Sequence, residues 1–223
     1  MRSNTIGWVL MLAAAPGLAR EARTEQPVFF NGKDLTGWSG LKEYWTVRDG
    51  ALIGACPTGL KFNTFLCSDR RYKDFELRFQ VRLKGGTGNS GVQIRSRIRD
   101  GQKAREQFAV EGPQCDIAVP YWASLFGEHF YGKKPGDHQL MSAAPKEVVD
   151  RVLKKADFND YFVRCVGKRV VIRLNGATTV DGEFVKMLDE GIIAWQIHSG
   201  PPMEVTFKDI QFKEIIADKK GGQ

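Results

Sequence analysis

Residues 75–83, FELRFQVRL, alternate without a break, with Phe75, Leu77, Phe79, Val81 and Leu83 on one side and Glu76, Arg78, Gln80 and Arg82 on the other. Side chains two apart in a strand share a face, so this run predicts a strand with one buried and one wet side. Weaker alternation predicts strands at 44–47 and 51–53, joined by an Asp49-Gly50 turn, and around Gln93 after the glycine-rich loop 85–91. Further strands are predicted at 108–110, 114–118, 161–166, 169–174, 178–180, 192–198 and 205–215, with Asn175-Gly176 as a hairpin turn. The last run changes phase between Phe207 and Ile210, which predicts a bulge near Lys208 or Asp209. Only 145–156 carries a helical stripe, with Pro145 at its start and Val148, Val149 and Val152 on one side. Residues 121–144 are aromatic and charged, lack alternation, and read as a long functional loop. Many short strands with almost no helix predict an all-β antiparallel sandwich, and a two-sheet jelly roll would give one sheet a concave outer face.

Three predicted strands interrupt their apolar runs with two polar side chains two residues apart: Gln93 and Arg95, Gln114 and Asp116, Gln196 and His198. Each pair shares a face, while Val92 and Ile94, Cys115 and Ile117, and Ile193, Trp195 and Ile197 share the other. If the strands are neighbours, the pairs merge into one patch of amides, guanidinium, carboxylate and imidazole suited to a sugar-like ligand. The competing reading is that any antiparallel sheet with one solvated face alternates in this way.

Composition adds bounds. The 223 residues, 42% hydrophobic and 26% charged, fit one sandwich-sized domain. Arg2, the apolar stretch 6–19 and the small residues at Gly17-Leu18-Ala19 read as a secretory signal cleaved after Ala19. That leaves a linker at 20–27, the domain at 28–216 and a tail at 217–223, with export to a periplasm or the outside and no other stretch of membrane-spanning length. Net charge is +7, but basic residues alternate with acids instead of forming one block, which argues against a nucleic-acid partner. Of the four cysteines, Cys56 and Cys67 fall on consecutive predicted strands, where an exported protein permits a cross-hairpin disulfide; Cys115 and Cys165 sit in apolar phase as core residues. No cysteine–histidine spacing supports structural zinc.

Five ordered motifs, FNGKDLTGW, GNSGVQIRS, GPQCDIAVPYWASLFGE, FNDYFVRCVGKRVVIRLNG and GIIAWQIHSGPPMEVTFKDIQFKEI, together resemble the 3-keto-disaccharide hydrolase family over residues 28–215. The resemblance implies a concanavalin-like lectin/glucanase fold and an exported hydrolase whose partner is a small carbohydrate, a glycoside oxidised to a ketone at sugar carbon three. Gln114 and Asp116 match the family's central block, Asn89 and Arg95 its asparagine-serine-glycine strand, and Gln196 and His198 its closing motif. Glu111 has the opposite strand parity to Gln114 and is not carried over.

A ketone at carbon three acidifies the hydrogen on carbon two, so cleavage can proceed by elimination followed by hydration. That route needs a base, a donor for the enolate oxygen and an acid for the leaving group, instead of the paired carboxylates of ordinary glycosidases. Asp116 is the expected base, with Gln114 orienting the sugar; a solvated strand carboxylate is the alternative. Arg95 is expected at the enolate oxygen; a surface cation or a salt bridge to Asp116 is the alternative. His198 is expected as acid, base or metal ligand. Gln93, Gln196 and Asn89 are expected to bind substrate, Glu128 to reach the site from the long loop beside His129, and Trp122, Phe126 and Tyr131 to offer stacking faces or core packing. Asp116, Glu128 and His198 are compatible with a divalent ion that would stabilise the enolate, and no other cofactor is implied.

Overall fold

The computed structural model describes residues 28–129 and 139–216. The expected signal, linker and tail, and Tyr131, lie outside the described residues. In chain order the strands are β1 Trp38–Ser39, β2 Trp45–Arg48, β3 Ala51–Cys56, β4 Thr64–Ser68, β5 Phe75–Leu83, β6 Asn89–Ile98 and β7 Val110–Ala118. They continue as β8 Leu125–Glu128, β9 Gln139–Ser142, β10 Asn159–Val166, β11 Arg169–Leu174, β12 Ala177–Glu183, β13 Ile192–Ile197 and β14 Met203–Glu214. Two short helices, α1 Gln102–Glu106 and α2 Lys146–Val152, complete the set.

The strands form two seven-stranded sheets, in the orders β1-β4-β13-β6-β7-β8-β9 (sheet A) and β12-β11-β10-β5-β14-β3-β2 (sheet B), with every pairing antiparallel. The sandwich predicted from alternation is therefore the fold. Phe75, Leu77, Phe79, Val81 and Leu83 of β5 are each at most 3% exposed, and burying five such side chains contributes on the order of 10 kcal/mol before chain entropy is subtracted. They meet Val92, Ile94, Cys115, Ile117, Trp195 and Ile197 of sheet A in one core. These three strands of sheet A, β6, β7 and β13, thus spend their apolar phase inward and leave the other phase for the outer face.

Several expectations need correction. The 121–144 stretch is not a plain loop: β8 and β9 form there, too short and irregular for alternation to register. Residues 108–110 are not a separate strand, because β7 runs through Gly112-Pro113 from Val110 to Ala118. Helix α1, which buries no residue and so has no apolar stripe, was not anticipated. The Cys56–Cys67 disulfide is excluded because the chain crosses from sheet B to sheet A between β3 and β4, and all four thiols are free and buried. Burial pushes the Cys67 and Cys165 thiols up to about 12, so they resist ionisation and behave as small hydrophobes. The bulge expected near Lys208 or Asp209 is present: β14 shifts register between Lys208 and Gln211, and Asp209 has φ of 53°.

Candidate functional site

Strands β13, β6 and β7 are consecutive in sheet A, so four of the six polar side chains predicted to converge, Gln93, Gln114, Asp116 and Gln196, do so. Gln93 and Gln114 are register partners, and the Gln93 amide nitrogen donates to Gln114 Oε1 at 2.9 Å. The Gln114 amide nitrogen in turn donates to Asp116 Oδ1 at 2.7 Å and to Gln196 Oε1 at 3.1 Å. Ser96 Oγ closes the chain behind them, donating to Gln93 Oε1 at 2.7 Å. Gln114 can lie flat enough to touch both partners because its neighbour on β6 is Gly91: a Cβ there would stand 2.6 Å from Gln114 Cδ. All three glutamines are at most 2% exposed. The amide nitrogen of Gln196 and Oδ1 of Asn89 are buried without a protein partner, and such groups cost about 1–3 kcal/mol each unless something meets them.

Asp116 is the charged end of this network. Its backbone is held by bonds between its N–H and Ser124 O (3.0 Å), from Ala123 N–H to its carbonyl (2.9 Å) and from the Tyr161 hydroxyl to the same carbonyl (3.1 Å). Burial pushes its carboxyl up to about 7; the Gln114 hydrogen bond opposes that shift and the negative charge of Glu128 reinforces it. A carboxyl poised near neutrality in a pinned, low-dielectric setting is what a general base requires.

Glu128 lies at the end of β8, opposite Gly112, and is 3% exposed. Its Oε1 accepts from Asn63 Nδ2 at 3.0 Å, and Asn63 Oδ1 accepts from the Ser199 N–H at 2.9 Å. Asn63 immediately precedes β4, so this bond links the β4 and β8 sides of sheet A. His198 follows β13; its N–H donates to Asn89 O at 3.2 Å and its Nδ1 lies 2.6 Å from Ser199 O. A carbonyl can only accept, so Nδ1 carries the proton and Nε2 is left for other chemistry.

Two site expectations fail on geometry. Arg95 does not join the cluster. It has φ of 44°, and β6 carries one extra residue between Gln93 and Ser96 relative to both β13 and β7. Arg95 therefore joins Ile94 on the inner side, while Ser96 and Ile98 take the outer one. The guanidinium is 1% exposed and bonds Lys73 O (2.6 Å), Leu188 O (3.3 Å), Gly167 O and Asp74 Oδ1 (2.7 Å). Trp122 is 2% exposed and packed in the main core, so it offers no stacking face. Phe126, the register partner of Gln114, remains partly exposed with Tyr121 at 6.3 Å between ring centroids. Asn63 and Ser96 were missed: one sits in an unpatterned loop, and the other returns to the outer face only because of the bulge. Among the described residues no group of three or more His, Cys, Asp or Glu is placed to hold a metal, so Asp116, Glu128 and His198 do not form a ligand set there. No helix of the described residues is long and apolar enough to cross a membrane.

The sequence pattern of the 3-keto-alpha-glucoside-1,2-lyase-like domain matches residues 26–213. No curated protein matches the chain. Among solved structures, a glycosyl-hydrolase candidate from Parabacteroides distasonis is 20% identical with a TM-score of 0.60, over 84% of this chain and 93% of that one. The carbohydrate-binding module CBM66 from Bacillus subtilis is 14% identical with a TM-score of 0.58, over 80% and 96%. The carbohydrate recognition domain of Emp46p is 11% identical with a TM-score of 0.57, over 85% and 94%. At these identities the shared property is the sandwich itself.

Proposed function

Since the chain belongs to the 3-keto-alpha-glucoside-1,2-lyase-like family, we propose that it cleaves 3-keto-glycosides by elimination across sugar carbons one and two. Addition of water to the product then completes net hydrolysis. The observation that carries this reading is the Asp116 carboxyl, held at about 7 inside a network of buried amides.

The Asp116 carboxylate takes the proton from carbon two, and the freed electron pair moves onto the carbon-three oxygen as an enolate. The enolate collapses back to the ketone as the bond from carbon one to the glycosidic oxygen breaks, and that oxygen leaves with a proton. Water adds across the resulting carbon–carbon double bond. Gln114 fixes the base, and the Gln196 amide nitrogen, buried and without a protein partner, takes over the enolate-stabilising role first expected of Arg95. His198 supplies the leaving-group proton from Nε2 when charged, and Asn89 bonds a sugar hydroxyl. The N-terminal pattern adds an exported location to the proposal.

A non-catalytic sugar-binding sandwich is the second reading, since the fold is shared with carbohydrate-binding modules. A binding module gains nothing from a carboxyl half-protonated near neutrality, which favours the enzyme. The test is incubation with 3-keto-trehalose or 3-keto-sucrose, with and without chelator, following release of glucose or fructose. Release is expected, with kcat/KM rising with pH through about 7 as Asp116 loses its proton. No release from several keto-glycosides, with saturable binding retained, would establish the binding module instead.

A further inference from the structure

The outer face of sheet B takes no part in this chemistry, yet it carries an ordered set of its own. In register across four strands, Gln211 of β14, Arg78 of β5, Phe162 of β10 and Arg173 of β11 form one row. Arg78 and Arg173 reach the Phe162 ring from the strands on either side, at 4.2 and 5.3 Å from its centroid. One row further along, Gln80 donates to Asp160 at 2.9 Å. Beyond it, Arg82 and Lys208 lie over the Phe158 ring at 4.5 and 4.2 Å. A depression of about 550 Å³ opens over Arg78, Gln80, Asp160, Phe162, Arg173 and Gln211.

Some cations on this face are paired: Arg164 with Glu76 at 3.2 Å, Arg169 with Asp181 at 2.7 Å, and Lys208 more loosely with Asp209 at 3.9 Å. Arg78 and Arg173 are exposed and enter no ion pair with the described residues. Stacking on a ring holds a guanidinium flat and covers its face while leaving its N–H edges open. Such edges suit the planar, two-oxygen geometry of a carboxylate.

We propose that this face binds an acidic saccharide, one whose sugar units carry carboxylates. The guanidinium edges of Arg78 and Arg173 take the carboxylates, while Gln80, Gln211 and the Asp160 carboxylate bond the hydroxyls between them. Arg82 and Lys208 form a second clamp, with Arg82 about 13 Å along β5 from Arg78, so one extended oligomer meets both. The same inventory disfavours other anions. Asp160 and Asp209 beside the depression repel an unbroken phosphate backbone, and both rings are already capped, so neither is free to stack a base. None of the exposed large hydrophobic residues lies among these side chains, so the face has nothing to insert into a bilayer. Sheet B's outer face is opposite to the Asp116 network, so binding here is separable from turnover.

The experiment is calorimetric titration of the full chain with an oligogalacturonate and, separately, with a neutral malto-oligosaccharide of equal length. The uronate oligomer is expected to bind and to weaken with added salt, and the neutral one to give no heat. Arg78→Gln combined with Arg173→Gln is expected to weaken uronate binding roughly tenfold or more at an unchanged melting temperature, whereas Asp116→Asn leaves it intact. If the double variant melts early, Arg82→Gln with Lys208→Gln gives the same reading from the other clamp. Absence of uronate binding, equal binding of the neutral oligomer, indifference to both double variants, or tighter binding of duplex DNA or anionic vesicles would each overturn the proposal.

Discussion

Arg95 and Asp116 are both charged residues on the central strands of sheet A, both are nearly inaccessible, and they are treated in opposite ways. Arg95 is met by Asp74 and three backbone carbonyls, so its charge is matched on every nitrogen that bonds. Asp116 receives one amide hydrogen bond and a like charge nearby, and its carboxyl rises to about 7. A matched buried charge fastens one sheet to the other. An under-matched one is unstable in its charged form and therefore ready to take a proton. The difference teaches that burial alone says nothing about role; the completeness of the partners does.

The sharpest way to break the comparison is to neutralise each charge. Asp116→Asn is expected to reduce turnover on a 3-keto-glycoside on the order of 10²–10⁴-fold, measured against wild type at pH 8. The same change is expected to raise the melting temperature at pH 8. The folded-state pKa lies above the unfolded value, so this carboxyl lowers stability progressively from about pH 4 to pH 7 and fully above, by up to about 4 kcal/mol. Arg95→Met should do the reverse. It leaves Asp74 and the carbonyls unmatched and costs roughly 3–5 kcal/mol by denaturant unfolding, while the activity per folded molecule at low temperature survives.

Smaller changes sharpen the contrast. Gln114→Leu removes the hydrogen bond that holds the Asp116 pKa down. The acidic limb of the kcat/KM profile is then expected to move to higher pH, with turnover at pH 7 falling roughly tenfold, the scale of one charged hydrogen bond. An unmoved limb would mean that Asp116 is not the titrating base. The mildest test is Gly91→Ala, whose Cβ would press on Gln114 at 2.6 Å. It should shift the same limb in the same direction by a smaller amount and cost about 1 kcal/mol of stability.

Much of this was legible in the order of residues. Period-two alternation located the long strands, and the pairs around Gln93, Gln114 and Gln196 did fall on neighbouring strands with their apolar neighbours inward. The phase slip before Ile210 was also visible, because apolar residues flank it on both sides. The slip at Arg95 was hidden: Gln93, Arg95 and Arg97 keep a polar period of two straight through the extra residue, so the pattern continues while the faces exchange. Asn63 gave no signal, since a loop residue gains its place from the crossing between sheets. Trp122 was open between stacking and packing, and core burial decided it. Strands β8 and β9 pair through a register shift that erases alternation.

The added residue in β6 also governs how this stretch can change over generations. Loss of the Ser96 codon would restore plain alternation, set Arg95 on the outer face beside Gln93 and strip Gln93 of its hydroxyl partner, whereas most point substitutions nearby disturb one contact. Strand length, inherited as a count of triplets, is what keeps the fastening and the reactive carboxyl in separate places.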